Sequence, residues 1–406
     1  MSRKTHLDGA SRNFAMGAAL ALAIIGGASV PAAFAQEQLR LGALPSATGP
    51  GASIGAALTA GVELAVSEIN DAGGVLGRKI EIVRGDTQSN PTTAASEARR
   101  LIEREGIEIL IGPLISQEAV PAVEVATAGK VVQITNAGTT ALTPEVGPYH
   151  FSFGTSAATA AKVIVDYIVD ELKVESIGLL ADDGGQSRSA VAEVKKNLEA
   201  RGIQLAVEQE YRFRADDLSP QVLSLRRADP EVVIFFTSTV DDGVKFLGTT
   251  AQVGWQPKIV GAAAVSVYAP AIARSVPAEA FENVYSVAYK GLTYCSSDAE
   301  GTSAYADFSN KLKAFAPDVY EKISVSLASE YYDSVKLLMA GVEATGETGG
   351  EALAKWVESD GSKVPLIHGA ISPSSESHFL FGPNELAIVH RPNDIRADGL
   401  MKRAGC

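Results

Sequence analysis

The feature that most limits how this chain can fold is a regular alternation, between residues 39 and 260, of short apolar runs with amphipathic stretches of helical period. A run at 39–43 is followed by a helical pattern over 57–70, a second run at 79–83, and a helix over 94–105 that Asn90-Pro91 starts. Runs at 108–111 and 131–135 enclose a further helical stretch at 118–128. After Phe151-Ser152-Phe153 the pattern begins again, with helices predicted over 157–172, 190–201, 218–228 and 242–253. Strands are predicted between them at 176–180, 204–211, 232–237 and 258–260. Units of strand, loop and helix at this spacing specify a parallel sheet with helices on both faces. Two successive series predict an α/β fold of two doubly wound lobes.

The last third has a different texture. Helical patterns at 305–315, 326–345 and 352–358 are followed by one candidate strand, 386–390. That is too little sheet for a third layered domain, so this region is expected to complete the first two lobes. The chain then crosses between lobes more than once, which makes a hinge, and the cleft between lobes becomes the expected ligand site.

Arg3, Lys4 and Arg12 precede an apolar run over 14–28, and Ala33-Phe34-Ala35 follows it. This is the pattern of a secretory signal peptide over residues 1–35, with a mature start at Gln36. The run is shorter than the ~20 residues a bilayer core demands. Removing it takes away three basic residues and Asp8, which lowers the formal charge from −13 to −15. So acidic a chain is not drawn to nucleic acid or anionic lipid. Cys295 and Cys406 both lie in the exported part, an even pair and a candidate disulfide in an oxidising compartment. His150, His368, His378 and His390 have no metal-ligand spacing and read as core or surface histidines.

Gly49-Pro50-Gly51-Ala52-Ser53-Ile54-Gly55, between the first strand and the first helix, invites a dinucleotide-binding reading. Its glycine spacing is off by one, and Pro50 removes a backbone N–H where a pyrophosphate needs donors, so no cofactor is expected. The pairs Asp182-Asp183, Asp216-Asp217 and Asp241-Asp242 are read as caps of the helices that follow them. Two loops at the carboxyl ends of consecutive strands carry more information. Residues 112–118 put Ser116 and Gln117 at the start of a helix, and residues 135–140 bring Ala137, Thr139 and further hydroxyls after the next strand. Together they predict an uncharged cradle for an anion.

At these loops the chain resembles the leucine/isoleucine/valine-binding family, the type I periplasmic solute-binding proteins of branched-chain amino-acid and amide ABC transporters. The resemblance rests on Ser46-Ala47-Thr48-Gly49-Pro50, Gly61-Val62-Glu63-Leu64-Ala65, Glu68-Ile69-Asn70, Gly73-Gly74-Val75-Leu76-Gly77 and Tyr332-Asp333-Ser334-Val335. It implies two Rossmann-like lobes joined by three crossovers near residues 154, 288 and 382. Lobe 1 is then 36–154 with 289–381, and lobe 2 is 155–288 with 382–406. It implies that Ser116, Ala137 and Thr139 hold the ligand's carboxylate. Ile54, Gln186 and Thr239 fall where family members carry aromatic residues, and Ala263 falls where amino-acid binders carry a glutamate for the ammonium. The ligand is then an amino acid whose ammonium meets another acid, with Asp183, Asp241 and Glu330 as candidates, or an aliphatic, aromatic or keto acid without the amine. The resemblance further implies a monomeric, non-enzymatic capture protein that serves an inner-membrane permease. The alternative is a ligand-sensing receptor domain feeding a signalling partner.

Overall fold

The computed structural model describes residues 38–301 and 303–406; the predicted signal peptide lies outside them. In the first half, β1 (Leu39–Ala43), β2 (Ile80–Arg84), β3 (Ile109–Ile111), β4 (Val132–Thr135) and β5 (His150–Ser152) alternate with α1 (Ala52–Asp71), α2 (Pro91–Glu103) and α3 (Ser116–Ala128). The strands form a wholly parallel sheet in the order β2-β1-β3-β4-β5. β3 and β4 are buried along their whole length, as strands covered on both faces must be.

The second half contains α4 (Ala157–Asp166), β6 (Ile177–Asp182), α5 (Gly185–Glu199), β7 (Leu205–Tyr211) and α6 (Ser219–Ala228). It continues with β8 (Val232–Phe236), α7 (Val240–Gln252), β9 (Lys258–Gly261), α8 (Ala263–Ile272) and β10 (Val284–Tyr289). After the short β11 (Thr293–Tyr294) come α9 (Ala304–Phe315), α10 (Pro317–Tyr320), α11 (Val325–Thr345) and α12 (Gly350–Asp360). β12 (Leu386–His390) and β13 (Met401–Lys402) close the chain. The second sheet has the order β12-β10-β9-β8-β6-β7, parallel except where β12 runs against β10.

Local chemistry sets several helix starts. The Asn90 side chain accepts from the N–H groups of Thr92 (2.9 Å) and Thr93 (3.1 Å), with Pro91 in the first turn of α2. Ser156 caps α4 through the Thr159 N–H at 2.9 Å. α1 is long and apolar enough to cross a membrane, yet it is a core helix packed along α11. The approach is so close that a methyl on Gly61 would stand 2.1 Å from the Ala328 carbonyl oxygen, so only glycine fits there. α11 thereby belongs to the first sheet although the chain reaches it only after five of the six strands of the second sheet.

The chain passes between the two sheets three times, after β5, after β10 and before β12. Each passage contributes one ring to a common cluster. Phe153 lies 5.0 Å from Phe381, and Tyr289 lies 4.8 Å from Phe381. The Tyr289 hydroxyl donates to the Phe153 carbonyl at 3.0 Å. His368 packs against both Phe153 and Tyr289, its Nδ1 2.7 Å from an Asp333 carboxylate oxygen. The chain end is tied down separately: β11 pairs with β13, and Cys295 and Cys406 are joined in a disulfide.

Three differences from the sequence expectations matter. α1 begins at Ala52, so Ile54 lies inside the helix instead of the preceding loop. α3 begins at Ser116, with Ile115 as its cap residue. α8 and β10 were not anticipated. α8 is apolar almost all round and buried, so no periodic pattern separates it from a strand.

Candidate functional site

The loops after β3 and β4 meet the loops after β6 and β7, which places a site where carboxyl ends of strands from both sheets converge, as open α/β sheets favour. Ser116 is 5% exposed, and its hydroxyl has no hydrogen-bond partner. It does not cap α3. A methyl on Gly185, the first residue of α5, would stand 3.9 Å from the Ser116 Cβ. Gln117 is exposed, and its amide nitrogen would lie 3.4 Å from a methyl on Gly184. The two lobes therefore touch directly at the start of α3 and the start of α5.

Thr139 is buried, its hydroxyl 3.4 Å from that of Ser189 in the other lobe and within 3.3 Å of the Ala141 N–H. The Gln186 side-chain amide donates to the Thr155 carbonyl at 3.5 Å. Gly138 lies between: a methyl there would be 2.5 Å from the Thr155 carbonyl oxygen and 2.2 Å from the Gln186 amide. Ala263 is half-buried in the first turn of α8. Ile54 is buried in the first turn of α1.

Two of the expected binding residues have polar groups engaged within the fold. The Ala137 N–H, expected to face the ligand, donates to the Thr135 hydroxyl at 3.2 Å, and its carbonyl accepts from Ser152 Oγ at 2.7 Å. The Thr239 hydroxyl caps α7 by accepting from the Asp242 N–H at 3.2 Å. Among the acid pairs, the carboxylate of Asp217 accepts from the Ser219 N–H (2.9 Å) just before α6, whose cap residue is Leu218. Asp182 and Asp183 serve otherwise. Asp183 accepts from the Phe213 N–H at 2.7 Å. Asp182 is buried and accepts from the Gly184 N–H (2.7 Å) and the Ser238 hydroxyl (2.9 Å).

The site is rich in buried acids. Glu330, on α11, is 3% exposed and accepts from the Asn136 side-chain amide. Burial pushes its carboxyl well above the usual range, and the nearby Asp333 charge pushes it the same way. Glu118 is buried under the hydroxyls of Ser46 (2.8 Å) and Thr87 (2.6 Å). Burial raises its pKa while these hydroxyls and Arg214 oppose the rise. Burial likewise raises Asp182 and Asp242. Burial raises the Tyr268 phenol, which also feels the charges of Glu330 from lobe 1 and Asp182 from lobe 2. Tyr331 feels both Glu330 and Glu118, and its hydroxyl, like Asn136 Oδ1, is buried without a partner. Arg214 is the cation facing these acids: its backbone N–H donates to Asp242 (3.3 Å), and its guanidinium lies in the field of Glu118 across the lobe boundary.

Glu118, Asp182, Arg214, Tyr268 and Tyr331, which the structure gathers near these loops, were not among the residues expected to bind. Gly51-Ala52-Ser53-Ile54-Gly55 has the Gly-x-Ser-x-Gly spacing of a hydrolase nucleophile, but Ser53 is exposed in the first turn of α1, with no histidine bonded to it. Among the described residues no group of three or more His, Cys, Asp or Glu side chains could hold a metal ion.

A family profile described as periplasmic binding protein matches residues 38–382. The chain belongs to this family. Its homologues are solute-binding proteins, not enzymes. Among curated relatives, the periplasmic binding protein described here is 30% identical over 251 residues to Leu/Ile/Val-binding protein homolog 8 of Brucella suis, covering 60% of this chain and 61% of that protein. It is 32% identical over 242 residues to homolog 7 of the same organism, covering 57% and 60%. The chain thus spans about three-fifths of the length of these relatives. Its fold is similar to that of the branched-chain amino acid transporter substrate binding protein LivJ from Streptococcus pneumoniae, solved in complex with isoleucine. There the TM-score is 0.73 at 20% identity, covering 90% of this chain and 98% of that one. The leucine binding protein LivK from Thermotoga maritima gives a TM-score of 0.70 at 18% identity, covering 90% and 98%.

Proposed function

We propose that this periplasmic binding protein is the capture component of an ABC importer, closing two lobes over a small amino acid. The observation that carries the reading is Ser116: a buried hydroxyl without a partner, at the point where the two lobes touch. A hydroxyl in that position offers a donor to a ligand carboxylate, and Thr139 adds a second beside it. Ala263 leaves its side of the cleft uncharged, so the ammonium falls to Glu330 and Asp182, one acid from each lobe, which both act on Tyr268. A cation between them relieves two buried carboxyls at once, and does so only when the lobes are closed. The relatives' names support the amino-acid class.

The lobes are proposed as 36–154 with 289–381, and 155–288 with 382–406. The signal peptide directs export and is cleaved after Ala35, and the closed form is presented to an inner-membrane permease as a monomer. Calorimetric titration of leucine, isoleucine and valine against their 2-keto acids tests the ligand class. Binding of the amino acids is expected, with Ser116→Ala weakening it about tenfold, the loss of ~1.4 kcal/mol for one hydrogen bond. Binding of the keto acids alone refutes the ammonium assignment. Unchanged affinity in Ser116→Ala refutes the carboxylate assignment.

A further inference from the structure

A cavity of about 270 Å³ opens between α8, on the second-sheet side, and α9, α10 and the start of α11, which belong to the first. The chain end near β13 completes its wall, and none of the residues assigned above to ligand capture lines it. Val267, Pro270, Ile323 and Met401 give it an apolar surface. Polar residues interrupt that surface, and two of them bear on a ligand. Ser326 Oγ is buried in the wall with no hydrogen-bond partner. Arg274 donates through Nη1 to the Glu321 carbonyl at 2.8 Å, and among the described residues no carboxylate forms an ion pair with it. Glu321 also borders the cavity, but it meets Arg274 through its backbone alone. An unneutralised guanidinium beside an apolar hollow is unusual company in a chain of formal charge −13. It complements an anion with an apolar body.

We propose that this cavity is a second binding site, separate from the capture cleft, for a small apolar carboxylic acid. The carboxylate meets Arg274, the body lies among Val267, Pro270, Ile323 and Met401, and a second polar substituent reaches Ser326. The volume, just under the roughly 300 Å³ at which ligand pockets begin, limits the occupant to a single ring or a short branched chain. The lining comes from both lobes: Ser324 caps α11 while donating to the Val267 carbonyl of α8 at 3.0 Å. An occupant that touches both sides gains its contacts only in the closed arrangement, so it favours closure and is coupled to the ligand of the main cleft.

The test uses the full mature protein and three probes by ligand-observed NMR: 4-hydroxybenzoate, benzoate, and 4-hydroxybenzyl alcohol, which lacks the charge. Millimolar or tighter binding of 4-hydroxybenzoate is expected, several-fold weaker binding of benzoate, and none of the alcohol. Arg274→Met should weaken 4-hydroxybenzoate at least tenfold, and Ala271→Phe, which fills the hollow, should abolish it, with circular dichroism unchanged in both. Ser116→Ala should leave this affinity within twofold. Loss of binding in Ser116→Ala with retention in Ala271→Phe would place the probe in the main cleft and overturn the proposal. So would equal binding of the uncharged alcohol, or unchanged affinity in Arg274→Met, a variant that removes the charge without filling the hollow.

Discussion

Replacing Glu330 with glutamine should make the protein more stable at neutral pH, and by an amount that grows with pH. Glu330 is fully enclosed, meets Asn136, and is surrounded by Asp333, Tyr268, Tyr289 and Tyr331 with no cation among the groups acting on it. Its folded pKa is raised well above the ordinary 4.5, first by burial and then by the Asp333 charge. Above pH 4.5 the unfolded chain therefore releases a proton that the folded protein keeps. The stability tied to that proton is fully present below the ordinary value and is lost as pH rises toward the folded one, at about 1.4 kcal/mol per pH unit. Glutamine keeps the shape and the carbonyl that accepts from Asn136, adds a donor for the unpartnered Asn136 Oδ1, and does not titrate. Urea unfolding at pH 5, 6 and 7 gives the stability of each protein by linear extrapolation. Glu118, Asp182 and Asp242 titrate in both proteins, so their contributions cancel in the difference. The variant's advantage should grow from pH 5 to pH 7, by at most about 1.4 kcal/mol per pH unit. A difference that stays flat across the three pH values refutes the reasoning, because Glu330 would then be as ionised in the folded protein as in the unfolded chain.

Gly138→Ala should lower ligand affinity at least tenfold while the protein stays folded, because the new methyl would meet the Thr155 backbone carbonyl at 2.5 Å and prop the lobes apart; small-angle scattering should show a larger radius of gyration in the presence of ligand, and normal compaction would count against it. Replacing Cys295 and Cys406 together with serine opens a loop of 111 residues. Loop entropy puts the loss of unfolding free energy at up to about 4.8 kcal/mol, read as a lower urea midpoint with ligand affinity unchanged. An unchanged midpoint would mean that the tail contributes nothing to the cooperative fold.

Much of this architecture is written locally. The Asn90-Pro91 cap, the strand-loop-helix spacing and the single strand at 386–390 each act over a few residues, so their signals survive in the linear chain. Ser116 and Thr139 could be singled out because they stand where a strand ends and a helix or loop begins, positions that any doubly wound sheet uses. The far lobe was harder to read. Asp182 looks like a capping residue by type, and only its enclosure beneath Ser238 and Gly184 sets it apart. Tyr268 lies in α8, an apolar stretch whose burial erases the periodicity that would have marked it as a helix. Ala137 and Thr239 had the right neighbourhood, yet their polar groups are taken by Thr135 and Asp242.

What the sequence determined by itself is the α/β alternation, the division into two sheets, and the presence of hydroxyls at the carboxyl ends of lobe 1 strands, since propensity, periodicity and turn chemistry are short-range. What only the tertiary structure decided is which charges meet. Glu330 lies 194 residues from Asn136, and Arg214 lies 96 residues from Glu118; these pairs exist because α11 returns to the first sheet and the lobes close face to face. Charge interactions depend on distance and on exclusion of water, and neither is a property of a residue's neighbours in the chain.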